Sequence, residues 1–136
     1  MRALLLTALG GGIGAVLRYG MTLAIPSTTF PWAILATNFV GSGAIGSVMA
    51  LTVEFEWLSD DGRLFWGVGV LGGYTTFSTY VAGVVAFAAA GRLSEAVVYA
   101  VGSLAAGILG VWTGLVAVRT LAQVEARTAD TGDEEH

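Results

Sequence analysis

The sequence predicts an all-α integral membrane protein of four transmembrane helices with a broken third helix, paired as an antiparallel, dual-topology dimer. Three observations predict the helices and the break. Hydrophobic residues make up 55% of the 136 residues and charged residues 12%, with a mean hydropathy of +0.76, too apolar for an ordinary soluble domain. The apolar residues form four runs, each close to the ~20 residues that cross a bilayer as a helix. The third run is interrupted by Gly72-Gly73-Tyr74-Thr75-Thr76-Phe77-Ser78-Thr79-Tyr80, two glycines and then hydroxyls for which a plain lipid-facing helix has no use. Irregular backbone at membrane depth persists only where protein buries it or where it lines a polar cavity. The break, placed at Gly72 to Thr76, is therefore the expected functional centre.

The spans are expected at about residues 3–25, 32–53, 64–90 and 94–118. They form one transmembrane domain over 1–121, followed by an acidic, disordered tail over 122–136. The first span starts behind Arg2 and ends before Pro26. A secretory signal begins in the same way, but this run is glycine-rich and continues past any plausible cleavage point. Gly10 to Ala15 formally matches a dinucleotide fingerprint, yet no acid lies about 20 positions on. Such glycines are read instead as sites where helices approach closely. Arg18 has two readings: it snorkels to the headgroups, or it faces a vestibule as a fixed positive charge that attracts anions.

The second span opens on Pro31-Trp32, a turn residue and an interfacial aromatic. Asn38 lies about two turns inside it, followed by Gly41, Ser42, Gly43, Gly46 and Ser47. From residue type alone Asn38 is better read as bonding across to a neighbouring helix. The other reading is a donor to an anion that must bind weakly enough to leave. The loop from Glu54 to Arg63, with Glu56, Asp60 and Asp61, is expected in water. Ser94 is expected to cap the fourth helix, on which Tyr99 and Ser103 share a face that Gly107, Gly110 and Gly114 continue. Asp130, Asp133, Glu134 and Glu135 make the tail acidic.

All ten Asp and Glu residues lie in loops, at span ends or in the tail. That counts against a proton-coupled carrier, which relies on a carboxylate inside the membrane. An enzyme is disfavoured as well. Cysteine is absent and the single histidine is the terminal His136, so no Ser/His pair, paired acids or metal cluster is at hand. Nucleic acid is not an expected partner of an acidic chain without lysine. The acidity and the missing lysine fit a high-salt cytoplasm or a biased base composition, and both readings stay open.

Counting alternate sides, Arg2, Arg63, Arg119 and Arg127 fall on one face and Arg92 on the other, a modest bias toward cytoplasmic termini. A weak bias permits insertion both ways. Four short helices are few for enclosing a path, so a symmetric antiparallel homodimer is the expected unit. Its two-fold axis would set the two breaks face to face and ring the centre with carbonyl oxygens suited to a hard cation.

The set Gly11-Gly12-Ile13-Gly14-Ala15-Val16-Leu17-Arg18-Tyr19, then Asn38-Phe39-Val40-Gly41-Ser42, then Gly72 to Tyr80, resembles the CrcB/Fluc family of fluoride channels. The resemblance runs through all four spans in order. It implies a channel of the cell membrane that passively exports fluoride and protects the cell from its toxicity, built as an antiparallel homodimer with two pores and a structural sodium ion, Na+, at the dimer interface. It assigns the sodium to main-chain oxygens of Gly72 and Thr75 from both subunits. Asn38 and Phe77 would line the fluoride path, with Tyr80, Tyr99 and Ser103 alongside and Arg18 supporting the vestibule. An aromatic ring has a positive edge, so its C–H groups can replace part of the hydration of a small anion without trapping it. The chain departs from the family where Tyr80 replaces a common phenylalanine, where Ile34 replaces a common threonine, and at Ala105 and Gly107, where hydroxyls frequently continue the track. Other readings are half of a heterodimeric fluoride channel with a paralogous partner, an ion-coupled carrier of fluoride or another small anion, and a non-transporting scaffold.

Overall fold

A computed structural model describes residues 1–25 and 29–133, with side chains through Glu125, and these residues form helices without a strand among them. Helix α1 is Arg2–Ala24. Helix α2 is Trp32–Glu54, its last turn, Ala50–Glu54, widened to π geometry. Helix α3 covers residues 60–74, with Arg63–Leu71 wound as π-helix between two short α turns. Helix α4 is Phe77–Ala89 and α5 is Leu93–Asp133. Four segments are long and apolar enough to cross a membrane: α1, α2, Asp60–Ala89 and Leu93–Glu125. Only 11% to 28% of each apolar window is buried within the chain, so most of that surface needs a cover other than water. The chain is a multi-pass membrane protein.

Glycine decides which helices pair. A Cβ at Gly10 of α1 would lie 2.5 Å from the carbonyl oxygen of Phe65, and one at Gly14 would collide with the carbonyl of Val70. Helices α1 and α3 therefore touch backbone to backbone, which only residues without a side chain allow. The same device joins α2 to α5. A Cβ at Gly110 would lie 2.6 Å from the carbonyl of Phe39, and one at Gly114 would overlap that of Gly43. Helix α4 packs differently, through side chains: Tyr80 and Phe87 meet Ile34 of α2 and Ala96 and Tyr99 of α5 in a buried cluster.

The helix ends follow from local chemistry. Ser59 caps α3, its hydroxyl accepting from the Gly62 amide at 3.2 Å, as N-cap serines do. Gly91, at φ +74, ends α4. The Gly91 amide donates to Ala88 O at 3.0 Å and the Arg92 amide to Phe87 O at 2.9 Å, the paired bonds of a Schellman motif that requires a left-handed residue. Helix α5 then starts at Leu93, so Ser94 lies in its first turn and is not the cap expected from its type. The Ser94 hydroxyl donates to Glu95 at 2.9 Å instead. At its other end α5 runs past residue 118, through Leu121, Ala122 and Gln123, residues that favour helix. The segment 122–133, expected to be disordered, is helical, while Glu134, Glu135 and His136 lie outside the described residues.

One end of the bundle carries Arg2 paired with Asp61, Arg63 beside Asp60 at 3.7 Å, and Arg119 paired with Glu54 through bonds of 2.7 and 2.8 Å. Exposed pairs of this kind contribute little to stability. Arg119→Gln is expected to leave the midpoint of thermal unfolding in detergent close to that of the parent.

Candidate functional site

Helix α3 ends at Tyr74 because Thr75 closes it. Its amide and its hydroxyl both donate to Leu71 O, each at 2.9 Å. Thr75 and Thr76 then take extended backbone, with ψ of 157 and 119, before α4 begins at Phe77. The interruption is shorter than the five residues expected from Gly72 to Thr76. Gly72 and Gly73 are helical, and Gly73 serves close approach, since a Cβ there would strike the carbonyl of Gly11.

Thr76 starts the next helix. Its side-chain oxygen accepts from the Thr79 amide at 3.2 Å and bonds the Thr79 hydroxyl at 3.0 Å. Its own backbone groups have no helical partner, and Asn38 of α2 supplies both. The Thr76 amide donates to Asn38 Oδ1 at 2.9 Å, and Asn38 Nδ2 donates to Thr76 O at 3.0 Å. A side-chain amide thus replaces a missing peptide partner where water is absent. That uses one of the two Nδ2 protons. Arg18 of α1 turns inward rather than to the headgroups: its Nη1 approaches Thr75 O at 3.5 Å, a long contact.

A groove with a cavity volume of about 380 Å³ opens beside these residues. Asn38 and Ser42 of α2 form one wall, Thr75 to Phe77 and Tyr80 the second, and Ser103 and Gly107 of α5 the third. No acidic or basic side chain lines it. Of the six side-chain positions expected on an anion path, four line this groove: Asn38, Phe77, Tyr80 and Ser103. Phe77 is 73% exposed, and its ring lies 5.6 Å from that of Tyr80. Tyr80 is buried, and its hydroxyl donates to Ala100 O at 3.2 Å, so the additional donor that tyrosine offers is already engaged. Tyr99 does not reach the groove. It stands fully buried behind Tyr80, ring centroids 5.6 Å apart, with its edge against Gly83.

The hydroxyls divide into two sets. Ser47, Thr52, Thr113 and Thr120 donate to carbonyls three or four residues back in their own helices, the usual resort of a hydroxyl in hydrocarbon. Thr37, Tyr99 and Ser103 are buried with side-chain oxygens that make no hydrogen bond of ordinary geometry among the described residues, those of Tyr99 and Ser103 lying near each other. Buried hydroxyls left this way point to a ligand or water. Thr37 was not expected from the sequence. Its place between Ile34 and Gly41 on the buried face of α2 was the signal available.

Gly72 O has lost its α-helical partner, since the Thr76 amide four residues on is turned to Asn38. A Cβ at Gly72 would meet nothing within 4 Å, so its surroundings are open. Among the described residues no group of three His, Cys, Asp or Glu side chains could hold a metal, which leaves carbonyl oxygens as the donors for a hard cation.

The fold and the groove define a small multi-pass membrane protein with an uncharged groove at a helix interruption, where a few amide and hydroxyl groups stand among apolar side chains such as Ile45, Leu104, Ile108 and Val111. The chain belongs to the CrcB-like family, whose model, described as CrcB-like protein, Camphor Resistance (CrcB), matches residues 5–115. It is 40% identical over 132 residues to a fluoride-specific ion channel FluC of Novosphingobium aromaticivorans, covering 90% of this chain and 100% of that one. A protein of the same description from Thermus thermophilus is 41% identical over 117 residues, covering 84% of this chain and 93% of its own. The fluoride-specific ion channel FluC 1 of Streptomyces coelicolor is 40% identical over 114 residues, covering 82% and 74% respectively.

Proposed function

We propose that this chain is a fluoride-selective channel that lets fluoride leave the cell passively and so protects it from fluoride toxicity. The observation that carries the reading is the chemistry of the groove: amide, hydroxyl and ring-edge donors converge there, and no charged side chain lines it. Fluoride is small, strongly hydrated and a hard acceptor. Uncharged donors can replace its water in steps, whereas a full positive charge would hold it. Asn38 Nδ2 and Ser103 Oγ donate, and the Phe77 ring edge adds a weak positive surface. Tyr80 shapes the wall by packing. Tyr99 offers a hydroxyl deeper in, and Arg18 supplies positive potential near Thr75 O without entering the groove. Transport of this kind needs no catalytic residue.

The working unit is an antiparallel homodimer. Its support is the face that one chain leaves bare at the interruption, where Phe77, Ser78 and Thr79 are exposed at mid-span. An interrupted backbone does not face lipid, and a second copy covers it. The arginine bias between the two ends is modest, which suits insertion in both orientations. The carbonyls of Gly72 and Thr75 fit a structural sodium ion as donors, two from each copy. One chain alone offers too few oxygens for a hard cation.

Purified protein in liposomes, followed with a fluoride electrode, tests the function. Fast fluoride efflux driven by voltage, with chloride excluded and no counter-ion gradient required, is the expected result. Strict dependence on a proton or sodium gradient would replace the channel by a carrier, and absence of efflux would leave a scaffold.

A further inference from the structure

We infer that the Ser42 hydroxyl is a further anion donor of the groove, standing on α2 where the facing wall of α5 carries no hydroxyl; this deepens the fluoride reading and rests on it. Ser42 follows Asn38 by four residues, so both lie on one face of α2, about 6 Å apart along its axis. Both line the groove. Ser103 and Gly107 have the same spacing on α5, across the cavity. At the first level, Asn38 faces a wall that carries the Ser103 hydroxyl. At the second, α5 contributes Gly107 with the apolar side chains of Ile108 and Val111, and no hydroxyl.

The geometry at that second level is specific. A Cβ built on Gly107 would lie 3.6 Å from Ser42 Oγ, so the serine hydroxyl lies beside the bare glycine, and both residues line the groove. Its Cβ is held in place from behind, since a Cβ at Gly110 would lie 3.0 Å from it. The hydroxyl is also unengaged. Ser47, five residues on in the same helix, donates to Gly43 O at 3.1 Å, and Thr52 donates to Val48 O at 2.7 Å. Ser42 makes no such bond among the described residues. Serine in a membrane helix ordinarily returns its proton to the preceding turn. Here the proton remains available to an anion leaving Asn38 and Ser103, one helical turn further along the groove.

Ser42→Ala removes the donor and keeps the Cβ that packs on Gly110. Liposome fluoride efflux is expected to fall about fivefold, with an unchanged gel-filtration profile. Adding Gly107→Ser returns a hydroxyl to the same space, which has room for a Cβ at ordinary contact distance, and is expected to restore the rate to within about twofold. Gly107→Ala in the same background adds volume without a proton and is expected to restore nothing. Efflux by Ser42→Ala at the parent rate would overturn the inference. So would a loss that the serine fails to repair, or one that the alanine repairs equally well. Failure of the fluoride reading itself shows separately, as absence of selective efflux from the unsubstituted protein.

Discussion

Asn38→Leu is expected to abolish fluoride efflux and to destabilise the protein by about 2–6 kcal/mol, the cost of leaving two buried polar groups unpaired at about 1–3 kcal/mol each. Leucine keeps the branching of the asparagine side chain, with somewhat greater bulk, and removes the amide. Both groups it strands belong to Thr76, whose amide and carbonyl bond Asn38 at 2.9 and 3.0 Å and which is only 6% exposed. Neither has an alternative nearby. The amide cannot return to Gly72 O without rewinding Thr75 and Thr76 into helix, and rewinding would rotate Phe77 and Tyr80 away from the groove. The variant therefore loses either stability or the interruption, and transport in both cases. The donor facing the anion disappears at the same time. Thermal unfolding in detergent and fluoride-electrode efflux measure the two effects. A leucine variant that melts and conducts like the parent would mean that the α2 amide does not hold the backbone open.

That amide shows how much the sequence makes legible and where it stops. Four spans follow from composition and run length alone, because hydrocarbon leaves the backbone few options. Their ends shift by a few residues where capping chemistry decides, as at Gly91, or where a polar segment continues a helix, as after Arg119. The glycines at 10, 14, 110 and 114 are legible as packing sites, but their partners are not, since pairing depends on how the helices are arranged. The position of the interruption is legible to within a few residues. Its length is not, because the two bonds from Thr75 to Leu71 O keep Gly72 and Gly73 helical. Residue type marks Asn38 and Ser103 as candidates, and it marks Ser47 and Thr52 equally. Only the direction of each hydroxyl separates those that bond their own helix from those that face the groove. Ser42 was within reach of spacing, four residues from Asn38, yet small residues in that stretch read first as packing. Tyr99 shares a helix face with Ser103 and still sits behind Tyr80, a matter of side-chain depth that periodicity does not report.

Phe77→Ile is expected to cut fluoride efflux about tenfold while leaving the fold and the oligomeric state unchanged. Isoleucine keeps the apolar bulk and deletes the ring, whose edge carries the positive side of the aromatic quadrupole. A weak C–H donor contact is worth about 0.5–1 kcal/mol, and the loss of two such ring C–H contacts, about 1.4 kcal/mol at the barrier, is about tenfold in rate. The ring is 73% exposed, so few contacts within the chain depend on it beyond its neighbour Tyr80, and folding is not the property at risk. Its position at the first residue of α4, directly after Thr76, means that the interruption held by Asn38 also aims the ring. Phe77→Tyr keeps the edge and is expected to conduct within about threefold of the parent. Comparing the two variants separates ring electrostatics from bulk: a normal rate for isoleucine would rule out the ring edge as a substitute for water, and equal losses in both would assign the effect to shape.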